Sequence, residues 1–290
     1  MNDQPVARIA AELLSPPATA VSEPAADRRV PVQKVAVIID YHHHYRTEFF
    51  RFLAERLNLE VLFVSPTGED RKGLNNRTPP GLKHRILTRN RYEDVLRRPL
   101  LAMRALLGAS AILLRGRYPI IVIHGYSNPA CYAAFLSKLL CRSQIIMWGE
   151  SNLHDKKRHA LLEGFKSMVL HGCDQVHVYG RSARDYFIRL GVDAQRIYIT
   201  QPTIDERHFA NLQARTGKKE RIEVLYLGRF SPEKNLFRLV ESIDLYRKRH
   251  PETRIRLTLV GFGELEAKLR LQIAGSCLEG IVRIRGQVQP

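Results

Sequence analysis

The chain has 290 residues, 44% of them apolar and 26% charged, a composition that excludes collagen-like and wholly disordered readings and leaves room for one large domain or two ordinary ones. Its 46 Lys and Arg against 29 Asp and Glu give a net charge of +17, so the expected partner is anionic: nucleic acid, an acidic membrane surface or a phosphorylated ligand. Four dispersed cysteines without a C-x-x-C pair suggest neither a disulfide framework nor a structural zinc site, and fit a reducing, cytoplasmic compartment.

Residues 1–33 are rich in Ala and Pro and carry three arginines against four acids, so they read as a flexible leader rather than a basic nucleic-acid arm. No basic region followed by an apolar core marks a secretory signal. From Lys34 the pattern becomes short β-branched runs alternating with amphipathic segments, the sequence form of a parallel sheet covered by helices. Strands are predicted at 34–40, 59–64, 120–124, 144–148, 175–179 and 196–200, and helices at 47–57, 129–140, 156–171 and 182–190, which together define one doubly wound domain over 34–205. A linker at 206–220 includes a polar, aperiodic stretch from Asn211 to Glu220. A second series follows, with strands at 222–227, 254–260 and 281–285 and helices at 233–249 and 264–274. It forms a partial domain over 221–290, since three strands make a thin sheet for an independent unit.

Along this frame, the run Asp40-Tyr-His-His-His-Tyr-Arg46 follows the first strand. Consecutive side chains do not face one way on a helix or a strand and no matched carboxylates follow, so no metal is expected; acceptor contacts from His42 or His44 are. Between Lys83 and Arg117 nine Lys and Arg face two acids, Glu93 and Asp94, interleaved with leucines. This reads as a basic amphipathic helix pair broken near Pro99, either lying on anionic lipid or packed with a solvated basic face. The apolar run Leu100–Leu114 is interrupted by Arg104 and falls short of the roughly 20 residues of a membrane span.

His124 ends an apolar strand, at the carboxyl edge where open α/β sheets bind ligands; by itself such a histidine is more often a structural hydrogen-bonder. Glu150 ends the next strand, placed to bond acceptor hydroxyls or to help cap a segment beginning near Asp155. In Val224-Leu-Tyr-Leu-Gly-Arg-Phe-Ser-Pro-Glu-Lys-Asn235, Ser231 and Pro232 form an N-cap and first-turn signal after a strand ending at Gly228. Arg229 and Lys234 would then either converge with free helix N–H groups on a diphosphate, neutralising it without a metal, or be two solvated cations. Gly261-Phe-Gly263 lacks the third glycine of a dinucleotide fingerprint, which disfavours an NAD site and leaves the turn as lining for a nucleotide cleft.

The segment Gly228-Arg-Phe-Ser-Pro-Glu-Lys-Asn235, followed by Leu259-Val-Gly-Phe-Gly-Glu-Leu-Glu266 and Val282-Arg-Ile-Arg-Gly-Gln-Val288, resembles the GT-B glycosyltransferases of family 4. Ser182-Ala-Arg-Asp-Tyr-Phe-Ile-Arg-Leu-Gly-Val192 and Ile197-Tyr-Ile-Thr-Gln-Pro-Thr-Ile-Asp205 are similar to the end of that family's acceptor domain, where Pro-Asn-Gly-Val-Asp is usual. The resemblance implies two Rossmann-like doubly wound domains, the second incomplete. It also implies retaining transfer of a sugar from a UDP- or GDP-sugar to a glycan or lipid-linked acceptor in envelope or exopolysaccharide synthesis. Gly228, Arg229 and Lys234 match the donor-phosphate loop, Gly261 and Gly263 the nucleotide cleft, and His124 the active-site histidine. No cofactor beyond the nucleotide sugar is implied, and the location is cytoplasmic, peripheral to the membrane if 83–117 lies on it.

Where relatives carry a glycine-rich loop after the first strand, this chain has Asp40–Arg46 without glycine. The family's paired glutamates, seven residues apart, would fall beyond Pro290, so a truncated, non-catalytic relative that only binds a partner is the competing expectation. Nucleic-acid binding is not expected, because the cations spread over several helices without a recognition motif.

Overall fold

The computed structural model describes residues 33–68, 81–153, 159–200, 221–274, 276–286 and 288. The first unit is a parallel sheet of β1 Lys34–Ile39, β2 Asn58–Phe63, β3 His84–Ile86, β4 Ile120–His124, β5 Gln144–Gly149, β6 Gln175–Tyr179 and β7 Ile197–Thr200. Its helices are α1 Thr47–Ala54, α2 Tyr92–Arg97, α3 Pro99–Gly116, α4 Ala133–Cys141, α5 Ala160–His171 and α6 Gly180–Arg189.

The aliphatic run of β1 is apolar at successive positions because both of its faces are covered. Ala36 and Ile38 pack with Ile121, Ile123 and the α3 residues Ala105, Ala109 and Leu113, while Val35, Val37 and Ile39 pack on the other face with Phe50 of α1. The strand order β3-β2-β1-β4-β5-β6-β7 puts β1 between β2 and β4, with Val37 in register with Val61 on one side and Val122 on the other. Connections leave β1 and β4 in opposite directions, so the crevice of this sheet opens at their carboxyl ends.

A carboxylate ties down the opposite edge. Glu60 of β2 is 2% exposed and accepts from Arg85 Nε (2.6 Å), Lys83 Nζ (2.9 Å) and the Tyr118 hydroxyl. Burial pushes its carboxyl up, but these three donors outweigh it and hold the group at about 2. Lys83 and Arg85 therefore belong to this edge rather than to the basic helical surface predicted for 83–117.

The second unit holds β8 Arg221–Leu227, β9 Arg254–Val260 and β10 Val282–Arg285, parallel and in the order β10-β9-β8, with α7 Leu236–Arg249 and α8 Glu266–Ile273. Its core of Phe230, Leu236, Val240, Leu257, Leu259 and Leu269 lies on one face of the sheet. Val224 and Tyr226 of β8 join that core, whereas Leu225 and Leu227 point the other way and are exposed, so among the described residues this sheet is covered on one face only.

Strand β3 was not anticipated; it is three residues long, with two of its side chains exposed, and gives almost no apolar signal. The run read as too short for a membrane span is part of α3, which at 18 residues is long and apolar enough to cross one by length and composition alone. The inner stripe of α3 is nevertheless buried against the sheet. Almost all of the 1–33 leader and the whole 206–220 linker lie outside the described residues.

Candidate functional site

Four side chains from three strand ends meet at the carboxyl edge of the seven-stranded sheet. His124 is the last residue of β4 and lies in register with Trp148 of β5, and Glu150 follows β5 by one residue. Arg46 closes the short 3-10 turn His44–Arg46 that leads from β1 into α1. Its Nη2 donates to Glu150 Oε1 at 2.5 Å, its Nη1 lies 3.2 Å from His124 Nε2, and the guanidinium sits 4.6 Å over the Trp148 ring. Phe49 and Tyr179 wall Trp148 at 5.7 and 6.2 Å.

His124 Nε2 also lies 3.2 Å from Glu150 Oε1. Arginine only donates, so the Arg46 bond requires a lone pair on Nε2, whereas the Glu150 bond requires a proton there. One nitrogen thus serves two proton states, each with a partner already in place. The His124 bond, followed by the charges of His124 and Arg46, holds the Glu150 carboxyl below the usual glutamate range against partial burial. Glu150 remains 46% exposed, so this carboxylate is ionised and reachable from solvent.

The histidine run is placed unequally. His43 Nε2 lies 3.4 Å from Asp40 Oδ1. Burial pushes the Asp40 carboxyl up, but the His43 bond and the charges of His43 and His124 keep it below its ordinary value. His42 is buried, with Nε2 2.9 Å from Thr47 Oγ1 and its ring edge-on to Phe63, a placement that ties it to the start of α1. His44 lies in the 3-10 turn, and its side chain is outside the described set. The Glu150 carboxylate is held by Arg46 and His124, and the segment near Asp155 that it could help cap lies outside the described residues. Among the described residues no group of three or more His, Cys, Asp or Glu side chains is placed to hold a metal ion.

In the second unit two loops bind each other backbone to backbone. Gly228 N–H donates to Val260 O (3.0 Å), Phe230 N–H to Phe262 O (2.8 Å) and Leu265 N–H to Phe230 O (3.1 Å). A Cβ on Gly261 would lie 1.9 Å from Gly228 O, and one on Gly263 2.4 Å from Phe230 O. Contact between the loops is therefore sufficient reason for both glycines.

Ser231 does not cap the long helix; its Oγ donates to Glu233 Oε1 at 2.6 Å, and Pro232–Lys234 form a 3-10 turn. Asn235 then adopts a left-handed conformation (φ 51°) and α7 starts at Leu236, which leaves Lys234 in the turn before the helix rather than in its first turn. Arg229 Nη2 lies 3.6 Å from Glu233 Oε1 in an exposed pair, and the Tyr226 hydroxyl holds Arg229 O at 2.8 Å.

Arg46 and Trp148 are the functional residues sequence reasoning missed. The only signal for them was position: Trp148 lies at the carboxyl end of β5 and Arg46 in the turn that follows β1, and their meeting depends on strand order.

Two parallel units of this kind, with a crevice at β1 and β4, define the GT-B fold of glycosyltransferases. The chain is similar in structure to a glycosyltransferase from Rickettsia africae (TM-score 0.63, 13% identity, 88% of this chain and 69% of that one). It is also similar to HepE from Anabaena, solved with UDP and glucose (TM-score 0.55, 15% identity, 88% of this chain and 70% of that one). In sequence it is 25% identical over 148 residues to the amylovoran biosynthesis glycosyltransferase AmsK of Erwinia amylovora, an alignment covering 43% of this chain and 36% of that protein. The chain thus matches little more than a third of this curated relative's length. No protein-family model matches the chain.

Proposed function

We propose that this chain is a retaining glycosyltransferase of family 4 type, moving a sugar from a UDP- or GDP-sugar to a glycan or lipid-linked acceptor in cell-envelope or exopolysaccharide synthesis. The observation that carries the reading is the carboxyl-edge cluster of Arg46, His124, Trp148 and Glu150, built on a GT-B sheet at its topological switch point. The similarity to AmsK supports the polymer class, and the UDP complex of HepE supports the donor class.

In this reading Arg229 and Lys234 hold the donor diphosphate on the Gly228 loop, and Gly261 and Gly263 keep that loop in place. As the glycosidic bond to the leaving phosphate lengthens, these cations stabilise the charge growing on the nucleoside diphosphate, so the step needs electrostatics rather than a metal. The pairing of Arg229 with Glu233 is exposed and long at 3.6 Å, so it opposes a turn of Arg229 toward a phosphate only weakly. His124 contacts the donor sugar, and the exposed Glu150 carboxylate bonds acceptor hydroxyls. The work is placed in the cytoplasm, with the chain peripheral to the inner face of the membrane.

Titration of UDP and GDP into the wild type and the Arg229→Ala, Lys234→Ala double variant tests this. Loss of two charge-assisted contacts is expected to weaken binding by about 3 kcal/mol, on the order of a hundredfold. Unchanged affinity removes the assignment.

A further inference from the structure

The outer surface of the seven-stranded unit is more apolar than contact with water explains. α3 packs along α4, and α4 is joined to α5 by Tyr132 against Phe165 (6.2 Å) and by Lys138 Nζ donating to Gly172 O (3.0 Å). The inner sides of α3 and α4 behave ordinarily, with Ala105, Ala109, Leu113, Ala133 and Ala134 buried. The outer sides do not. On α3, Leu100, Met103, Arg104 and Leu107 form one outward stripe at i, i+3, i+4 and i+7, and Leu100 is 85% exposed. Leu139 on α4 is 78% exposed and Leu161 on α5 is 91% exposed. Soluble monomers seldom show contiguous apolar patches above a few hundred Å², and a helix apolar on both sides needs cover on both.

Charge selects the cover. α3 and α4 contain no acidic residue, and the one acid of α5, Glu163, is bonded to Lys166 Nζ (2.7 Å) and to the Tyr186 hydroxyl. Exposed cations stand around the leucines: Arg104 and Arg115 on α3, Arg97 and Arg98 just before it, and Arg142 just after α4. A second copy of the same face would set like charges against each other. Apolar side chains ringed by positive charge, of which Arg98 is paired with Asp94 at 3.9 Å, match the acyl boundary and headgroups of an anionic bilayer.

We infer that the joint outer face of α3, α4 and α5 docks on an anionic lipid surface. The contact is broader than the basic 83–117 segment: it takes in two further helices, and it excludes Lys83 and Arg85, which Glu60 has claimed. Helices of a parallel βα sheet run opposite to the strands, so the amino-terminal ends of α3 and α5, with Leu100 and Leu161, lie at the edge that carries His124 and Glu150. A lipid-held acceptor would arrive at that edge, a step that rests on the proposed transfer; the docking does not.

Co-sedimentation of the full chain with vesicles of phosphatidylcholine alone and of phosphatidylcholine with phosphatidylglycerol tests the inference. Binding at least about tenfold stronger to the anionic vesicles is expected, falling about tenfold in Leu100→Ser, Leu139→Ser, Leu161→Ser and, separately, in Arg104→Glu, Arg115→Glu. Absence of anionic-vesicle binding, or binding that both variants leave unchanged, overturns it. So does a dimer in sedimentation velocity that the serine variant splits while vesicles capture nothing. UDP titration on the same preparations separates the two readings: retained UDP affinity without vesicle binding removes only the docking, and vesicle binding without UDP affinity removes only the transfer.

Discussion

Glu60 and Glu150 lie at opposite edges of the same sheet, and each holds an arginine at about 2.5 Å. Around Glu60 every donor is used inward: Arg85, Lys83 and Tyr118 tie β2 to β3 and to the chain entering β4, and the carboxylate is sealed from water. Around Glu150 the arginine is the buried partner, 9% exposed, and the carboxylate is the open one. The same pair of residue types therefore does two jobs. A sealed carboxylate with saturated donors holds a fold together; an open one, beside a histidine whose single nitrogen has two partners, is placed to meet a ligand.

The comparison breaks most readily at Glu60. Glu60→Gln keeps the shape and removes the charge, and a carboxyl lowered from 4.5 to about 2 is worth about 3 kcal/mol at neutral pH. Thermal unfolding is expected to fall by roughly 5–10 °C. Because the folded value lies below the unfolded one, the stabilisation is complete above pH 4.5 and fades as pH falls toward 2. Wild type and variant should converge over that window. Glu150→Gln, half exposed, should cost less than about 1 kcal/mol of stability at any pH. Equal losses at the two sites would erase the distinction.

Much of this contrast was legible in the sequence as position, and little of it as contact. His124 and Glu150 are visible because apolar runs end on them, and nearly all of the strands appear within a residue or two of their predicted bounds. Lys83 and Arg85 look like part of a basic helical surface until β3 places them beside Glu60, and a three-residue edge strand carries too few apolar residues to be seen. Arg46 is hidden for a different reason. It lies far from His124 and Glu150 in the chain, and only the β1-β4-β5 order brings the three together. Ser231-Pro232 gave a true start signal for a turn, but Asn235 takes the left-handed conformation that delays the helix.

Activity sharpens the comparison next. With the proposed transfer assayed by release of nucleoside diphosphate, Glu150→Gln should lower kcat/KM by about 10- to 100-fold, the range for loss of one positioned carboxylate. Glu60→Gln, assayed well below its lowered melting temperature, should leave the rate within about twofold. A Glu150 variant as active as the wild type would make the open carboxylate a structural residue after all.

Arg46→Lys asks the finest question, whether the guanidinium merely neutralises Glu150 or sets the geometry of the edge. A lysine retains the charge, but its single ammonium cannot reach Glu150 Oε1 and His124 Nε2 together in a fixed fork, and it stacks less well on Trp148. If charge alone matters, the variant should match the wild type and the Glu150→Gln effect should be unchanged in its background. If the fork aligns His124 and Glu150, kcat should fall about fivefold with KM for the donor nearly constant. The double variant should then be less than additive by at least about 0.5 kcal/mol, since both changes remove the same bridge. The coupling, rather than the loss of activity, therefore decides between the two.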